Sequence, residues 1–388
     1  MLMGTMIDYV QETPATFAEK PFCAVDSLVL SQLCYIRFDG LIPGPEDSRS
    51  VGISELTGEE AVTSLMKDVR VPELNAQLLQ AMAESPRFRG VRLTGYVNKI
   101  DKEKQEQFSA VTYLFGGFSY VAFRGTDSSY VAWKEDFDLA FRFPVPSQVD
   151  GAAYLTQMAE RLSGPILVGG HSKGGNLAVY SAVFCEQWAR ERISAVFSHD
   201  GPGFQADVLR MPEFDGMRDR IHKTIPQSSL VGVLLQHQEN YRIIRSSSFW
   251  IMQHDPFSWM VENGEFLYVE SLTSGAQFLD ESLNQWISSL SEEQLSAFSD
   301  ALYQILLSFG GDTFSDLPTE WWKTALSVLE GMKGIDADTR STLLRTVGSL
   351  FTLAVRNLPR PSISIPLPKL PFSLPRSPFS KKSSAPEG

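Results

Sequence analysis

Apolar positions in the first part of the chain recur at helical spacing and then switch to strand composition. Between Ser27 and Phe38, Leu28, Leu30, Leu33 and Ile36 fall on one face of a helix preceded by Asp26. Thr57 with Glu60 makes a capping-box pattern ahead of a helix over 61–68. Pro72 suits the first position of a further helix reaching about Ala83. From Val91 to Ile100 the composition is that of a strand. Segments 107–115 and 118–123 flank Gly116-Gly117 and read as a β-hairpin.

Helical spacing returns over 147–162. The chain then alternates: strand 166–168, helix 176–190, strand 193–198, strand 220–225, a helix near 228–237, and strand 241–246. Strands alternating with helices imply a mostly parallel sheet flanked by helices. Beyond about 272 the spacing is helical alone, over 281–289, 292–309, 320–332 and 339–355. Residues 358–388 carry proline, serine, lysine and arginine without a core-forming pattern. The expected organisation is an α/β domain over 1–272, a helical extension or cap over 273–357, and a Pro-rich disordered tail over 358–388. A solvated tail is the plainer reading of that last segment, and a weak protein partner docking on its prolines is the other.

Composition sharpens this picture at few points. The 388 residues are 43% hydrophobic and 21% charged, which permits a sizeable core. The net charge of −12 disfavours nucleic acid as a partner. The cysteines Cys23, Cys34 and Cys185 fit no zinc spacing and read as reduced thiols. The chain has no signal-peptide pattern and no apolar run long enough to span a membrane, so a cytoplasmic location is expected.

The segment 165–175, Pro-Ile-Leu-Val-Gly-Gly-His-Ser-Lys-Gly-Gly, carries the chemistry. It places G-x-S-x-G at Gly170–Gly174, between an apolar strand and a helical pattern. A sharp strand-to-helix turn would hold the Ser172 hydroxyl at a sheet edge near a helix N-terminus. A glycine-rich loop that merely turns is the alternative.

A serine nucleophile needs a base and usually an orienting carboxylate. Of five histidines, His171 adjoins the nucleophile and should point away from it. His222 starts a strand, the wrong end for a parallel-sheet site. His237 ends a predicted helix. His199 ends a strand beside Asp200, and His254 follows the last predicted strand. The order serine, acid, histidine favours His254 as the base. Asp200, just past a strand end, is the candidate acid, with Asp255 as its rival. For the oxyanion, the Lys173 backbone N–H is one expected donor. Gly125 and Thr126, after the hairpin, offer the second, through the Thr126 N–H and hydroxyl. The Lys173 side chain reads as exposed or ion-paired. Phe249, Trp250, Phe257 and Trp259 read equally as acyl-pocket lining or as core.

Arg124-Gly125-Thr126-Asp127, Trp133, Asp136 and Gly170-His171-Ser172-Lys173-Gly174-Gly175 resemble the class 3 (fungal-type) lipases. Closer still is the similarity to a bacterial family of lipase-like proteins, the Mbeg-like family. The motifs that carry it are residues 170–176, 200–204, 226–232 and 253–259, within a resemblance spanning about 25–270. It implies an α/β-hydrolase fold and ester hydrolysis. The fungal-type lipases place an aspartate where this chain has Ser228 or Ser229, and Asp200 could replace it from the preceding strand. The expectation is a serine hydrolase of lipase or esterase type, acting on a small-molecule or lipid ester without metal or organic cofactor. The alternatives are a non-catalytic scaffold on the same fold and an acyltransferase.

Overall fold

The computed structural model describes residues 4–127, 129–235 and 241–308. The expected helices over 320–332 and 339–355, the tail over 358–388, and His237 lie outside them. Strands β1 (Val51–Gly52), β2 (Arg92–Asp101), β3 (Glu106–Leu114), β4 (Ser119–Phe123), β5 (Ile166–His171), β6 (Ile193–His199), β7 (Ile221–Pro226) and β8 (Tyr241–Ile244) follow in chain order. Three short strands come after them: β9 (Val261–Glu262), β10 (Glu265–Phe266) and β11 (Tyr268–Val269). Among the described residues one sheet has the order β1-β2-β3-β4-β5-β6-β7-β8-β11. Its centre, β4 to β8, is parallel, and the pairs toward either edge are antiparallel.

The helices are α1 (Met6–Glu12), α2 (Ala24–Leu33), α3 (Glu59–Leu65), α4 (Pro72–Glu84), α5 (Tyr130–Asp138), α6 (Pro146–Arg161), α7 (Lys173–Phe184), α8 (Gln187–Arg190), α9 (Pro212–Asp215), α10 (Ser274–Ser289) and α11 (Glu292–Ser308). Strand β4 shows why the sheet needs cover on both faces. Its side chains alternate, and every one is buried. Tyr120 and Ala122 join a core with Leu28, Leu33 and Trp259, while Val121 and Phe123 join one with Leu155, Val168 and Leu177.

The hairpin forms as the pattern predicts, with Ala110 opposite Phe123 and Leu114 opposite Ser119. Phe115 and Phe118 stack across its turn at 4.6 Å, and Gly116 takes φ 78°. Other elements differ in detail. The helix after Gly58 starts at Glu59, and Thr57 donates to the Ser54 carbonyl instead of capping it. The expected helix 176–190 begins at Lys173 and breaks at Cys185–Glu186. Residues 228–235 form turns, not a helix, and 236–240 lie outside the described residues.

Helix α5 is among the elements that the hydrophobic pattern does not predict. It buries Lys134, Glu135 and Asp138. Helix α11 seats against it: Ser299 Oγ donates to Asp138 Oδ1 at 2.7 Å, and Lys134 pairs with Asp300 at 3.1 Å. No described helix is long and apolar enough to cross a membrane.

Candidate active site

Strand β5 ends at His171 and α7 begins at Lys173, which leaves Ser172 alone in the turn. Its backbone sits at φ 59°, ψ −133°, a conformation that costs a non-glycine residue on the order of 1–3 kcal/mol. Two hydrogen bonds hold it there: Ser172 N donates to His199 O at 2.9 Å, and Gly175 N donates to Ser172 O at 2.8 Å. The flanking glycines are required by backbone proximity. A Cβ on Gly170 would lie 2.2 Å from Gly174 O, and one on Gly174 would lie 2.2 Å from Phe123 O.

His254 Nε2 lies 3.0 Å from Ser172 Oγ, and its Nδ1 lies 2.6 Å from Asp200 Oδ2. Asp200 follows β6 and is fully buried. Its Oδ1 accepts from Ser229 Oγ at 2.5 Å and from Gly232 N at 3.1 Å, so both carboxylate oxygens are hydrogen-bonded. The role of Ser229 escaped the sequence reading. Its one signal in the sequence is its place just after the end of β7, at the strand ends where catalytic groups collect.

The other described histidines have different partners. His171 Nε2 lies 2.9 Å from the His254 carbonyl. A carbonyl only accepts, so Nε2 carries the proton and Nδ1 accepts from Tyr35 Oη at 3.0 Å. Burial, then the neighbouring His254, push the His171 pKa well below its usual range. His199 is wedged between Thr224 Oγ1 and Ser27 Oγ at 2.8 and 2.9 Å, and burial lowers its pKa to about 3. His222 is on β7, near that strand's start. Asp255 Oδ1 accepts the Phe257 N–H at 3.1 Å, and the carboxylate hydrogen-bonded to His254 Nδ1 is that of Asp200.

The segment after β4 lies against the elbow. A Cβ on Gly125 would stand 2.7 Å from His171 O and 3.1 Å from Ser172 Cβ. The Thr126 hydroxyl donates to Asp136 Oδ2, so only the Thr126 N–H remains as the expected donor. Burial raises the Asp136 pKa to about 6, against the pull of the Lys173 ammonium and the Thr126 hydroxyl. Asp127 faces away, paired with Arg37 and Arg124 at 3.3 Å each.

The Mbeg1-like family model matches residues 82–304, more than half of the chain. The chain belongs to the Mbeg1-like family. Among solved structures, the crystal structure of M37 lipase is similar at a TM-score of 0.36 and 16% identity, covering 55% of this chain and 70% of that one. No curated protein matches it.

In this Mbeg1-like chain the Lys173 side chain is 1% exposed and ion-paired with Glu135 at 2.9 Å. The aromatic residues after β8 divide. Trp259 is fully buried, its Nε1 donating to Gln253 O at 2.8 Å, and Phe257 is buried too, so these two belong to the core. Phe249 is 85% exposed. The Trp250 side chain lies outside the described part. No cluster among the described residues could hold a metal ion.

Proposed function

We propose that this protein is a serine hydrolase that cleaves carboxylic esters of small molecules or lipids, in the manner of a lipase or esterase, in the cytoplasm. The observation that carries the reading is the continuous line from Ser172 Oγ to His254 Nε2, 3.0 Å, and from His254 Nδ1 to Asp200 Oδ2, 2.6 Å. Ser172 attacks the acyl carbonyl as its proton passes to His254. Asp200 fixes the tautomer that leaves Nε2 free to accept that proton. Ser229 and Gly232 anchor Asp200 from the turn after β7.

Oxyanion stabilisation falls to two backbone donors, the N–H of Lys173 at the start of α7 and the N–H of Thr126. The Asp136 carboxyl anchors the Thr126 hydroxyl and with it the segment. His254 then protonates the leaving alcohol, and a water activated by the same histidine releases the acyl group. The histidine is itself braced through its carbonyl by His171.

A fluorophosphonate probe tests the reading. Covalent labelling of the wild type that disappears in Ser172→Ala is the expected result. A folded wild type that neither labels nor hydrolyses any ester in a broad substrate screen would overturn it, in favour of a scaffold. Competition between added alcohols and water for the acyl group would reassign the activity to acyl transfer.

A further inference from the structure

A buried ammonium immediately after the nucleophile is not used in the chemistry above, and it is costly to keep. Lys173 and Glu135 are each 1% exposed in their side chains. Removing an ammonium and a carboxylate from water carries a desolvation penalty that well-packed apolar side chains of similar volume avoid. The bonds made by the pair show where it acts. Lys173 Nζ donates to Glu135 Oε2 at 2.9 Å and to the Gln107 carbonyl at 2.8 Å. Glu135 Oε2 accepts the Gln107 N–H at 3.1 Å, and Oε1 accepts the Ser147 N–H at 2.9 Å.

Gln107 lies on β3 at the point where its neighbour has left. The β3–β4 pairing ends at Ala110 opposite Phe123, and the last bond of this edge runs from Arg124 N to Ser109 O at 2.9 Å. Beyond it the chain departs as the Gly125-Thr126 segment. The backbone groups of Gln107 that a continuing β4 would have paired are satisfied by Lys173 and Glu135 instead. The next residue of α5, Asp136, holds Thr126. One turn of helix thus connects the first residue of α7 with the oxyanion segment.

We infer that Lys173 and Glu135 are positioning residues that set the gap between the Ser172 elbow and the Gly125-Thr126 segment. This inference deepens the hydrolase reading and rests on it for its catalytic consequence. The pair fills the notch that opens where β4 leaves the sheet. It anchors α7 at the residue whose N–H is one oxyanion donor, and α5 at the residue beside the one that holds the other. Neither side chain exchanges a proton with the substrate.

The test uses the full chain with Lys173→Met/Glu135→Gln, which removes both charges together. Either single neutral replacement strands a buried charge and can unfold the protein. In the folded double variant, kcat on a p-nitrophenyl ester falls about 10- to 100-fold, the scale expected when reacting groups are displaced by about an ångström, while KM changes less than threefold. Affinity for a boronic acid that mimics the tetrahedral adduct falls in parallel. Lys173→Arg, which keeps the charge opposite Glu135, recovers kcat to within tenfold of wild type.

Hydrogen exchange supplies a readout independent of activity. Exchange over 124–127 accelerates in the double variant, while exchange over the middle of β2 does not. A folded double variant with unchanged kcat and unchanged exchange over 124–127 overturns the inference. If the wild type neither labels nor hydrolyses, the hydrolase reading fails by itself, and the exchange comparison still judges whether the pair positions the segment.

Discussion

Replacing Asp200 by asparagine changes one atom, and the surroundings of that atom determine the outcome. Oδ1 receives two donors, Ser229 Oγ at 2.5 Å and Gly232 N at 3.1 Å, while Oδ2 faces His254 Nδ1 at 2.6 Å. The serine hydroxyl can rotate to accept, but a backbone N–H cannot. Gly232 N also donates to Ser229 Oγ at 2.9 Å, but an NH2 in the Oδ1 position would set two donors against each other at 3.1 Å, so the asparagine oxygen takes the Gly232 side and its NH2 turns toward His254. An NH2 facing Nδ1 requires that nitrogen to accept, which moves the ring proton to Nε2. His254 then presents N–H to Ser172 Oγ, 3.0 Å away, and cannot take its proton. The expected loss in kcat is about 10⁴-fold, or roughly 5 kcal/mol of transition-state stabilisation. The fold should persist, because each hydrogen bond has a replacement in the flipped arrangement. The assay is saturating hydrolysis of a p-nitrophenyl ester, with far-UV circular dichroism as the check on folding. A rate within tenfold of wild type would refute the argument and leave a serine–histidine dyad.

Three further outcomes are expected. His254→Ala abolishes turnover of the same ester and exceeds the loss from Asp200→Asn, while leaving the thermal transition in place; near-normal rates would withdraw the base assignment. Gly174→Ala gains helix propensity worth about 1 kcal/mol. Its Cβ would nevertheless sit 2.2 Å from Phe123 O, so urea denaturation should show a net loss of roughly 1–3 kcal/mol, and a stabilised variant would contradict the close packing of the elbow. The Asp136 carboxyl titrates at about 6 when folded and near 4 when unfolded. The folded state therefore binds the proton more tightly, and this group's contribution to stability falls as pH rises from 4 through 6. Asp136→Asn should remove that part of the pH dependence, seen as a smaller difference between urea midpoints at pH 4.5 and 7.5 than in wild type.

The parts of the site that were readable from sequence are those written in local geometry. Gly170 to Gly175 declares a tight turn by residue type, and the apolar run before it declares the strand. His254 and Asp200 could be placed by their position after strand ends. Ser229 could not, because its partner lies 29 residues away and a serine after a strand has many uses. Helix α5 was invisible for another reason. Hydrophobic periodicity assigns charged residues to solvent, yet Lys134, Glu135 and Asp138 face inward and satisfy one another and the neighbouring backbone. A helix held by buried ion pairs has the pattern of a loop. The expected helix near 228 failed in the opposite sense, since Ser229 and Gly232 are committed to Asp200.

The left-handed φ of Ser172 also limits what chemistry can be placed at that position. A side chain branched at Cβ is a steric outlier there, so threonine does not fit although it carries the same hydroxyl. Cysteine fits, with an unbranched Cβ and a nucleophilic sulfur beside the same histidine. A Ser172→Cys protein is thus the replacement the backbone admits for trapping an acyl group as a thioester. Mass spectrometry of that adduct would read the acyl chain directly from a mixture of candidate esters.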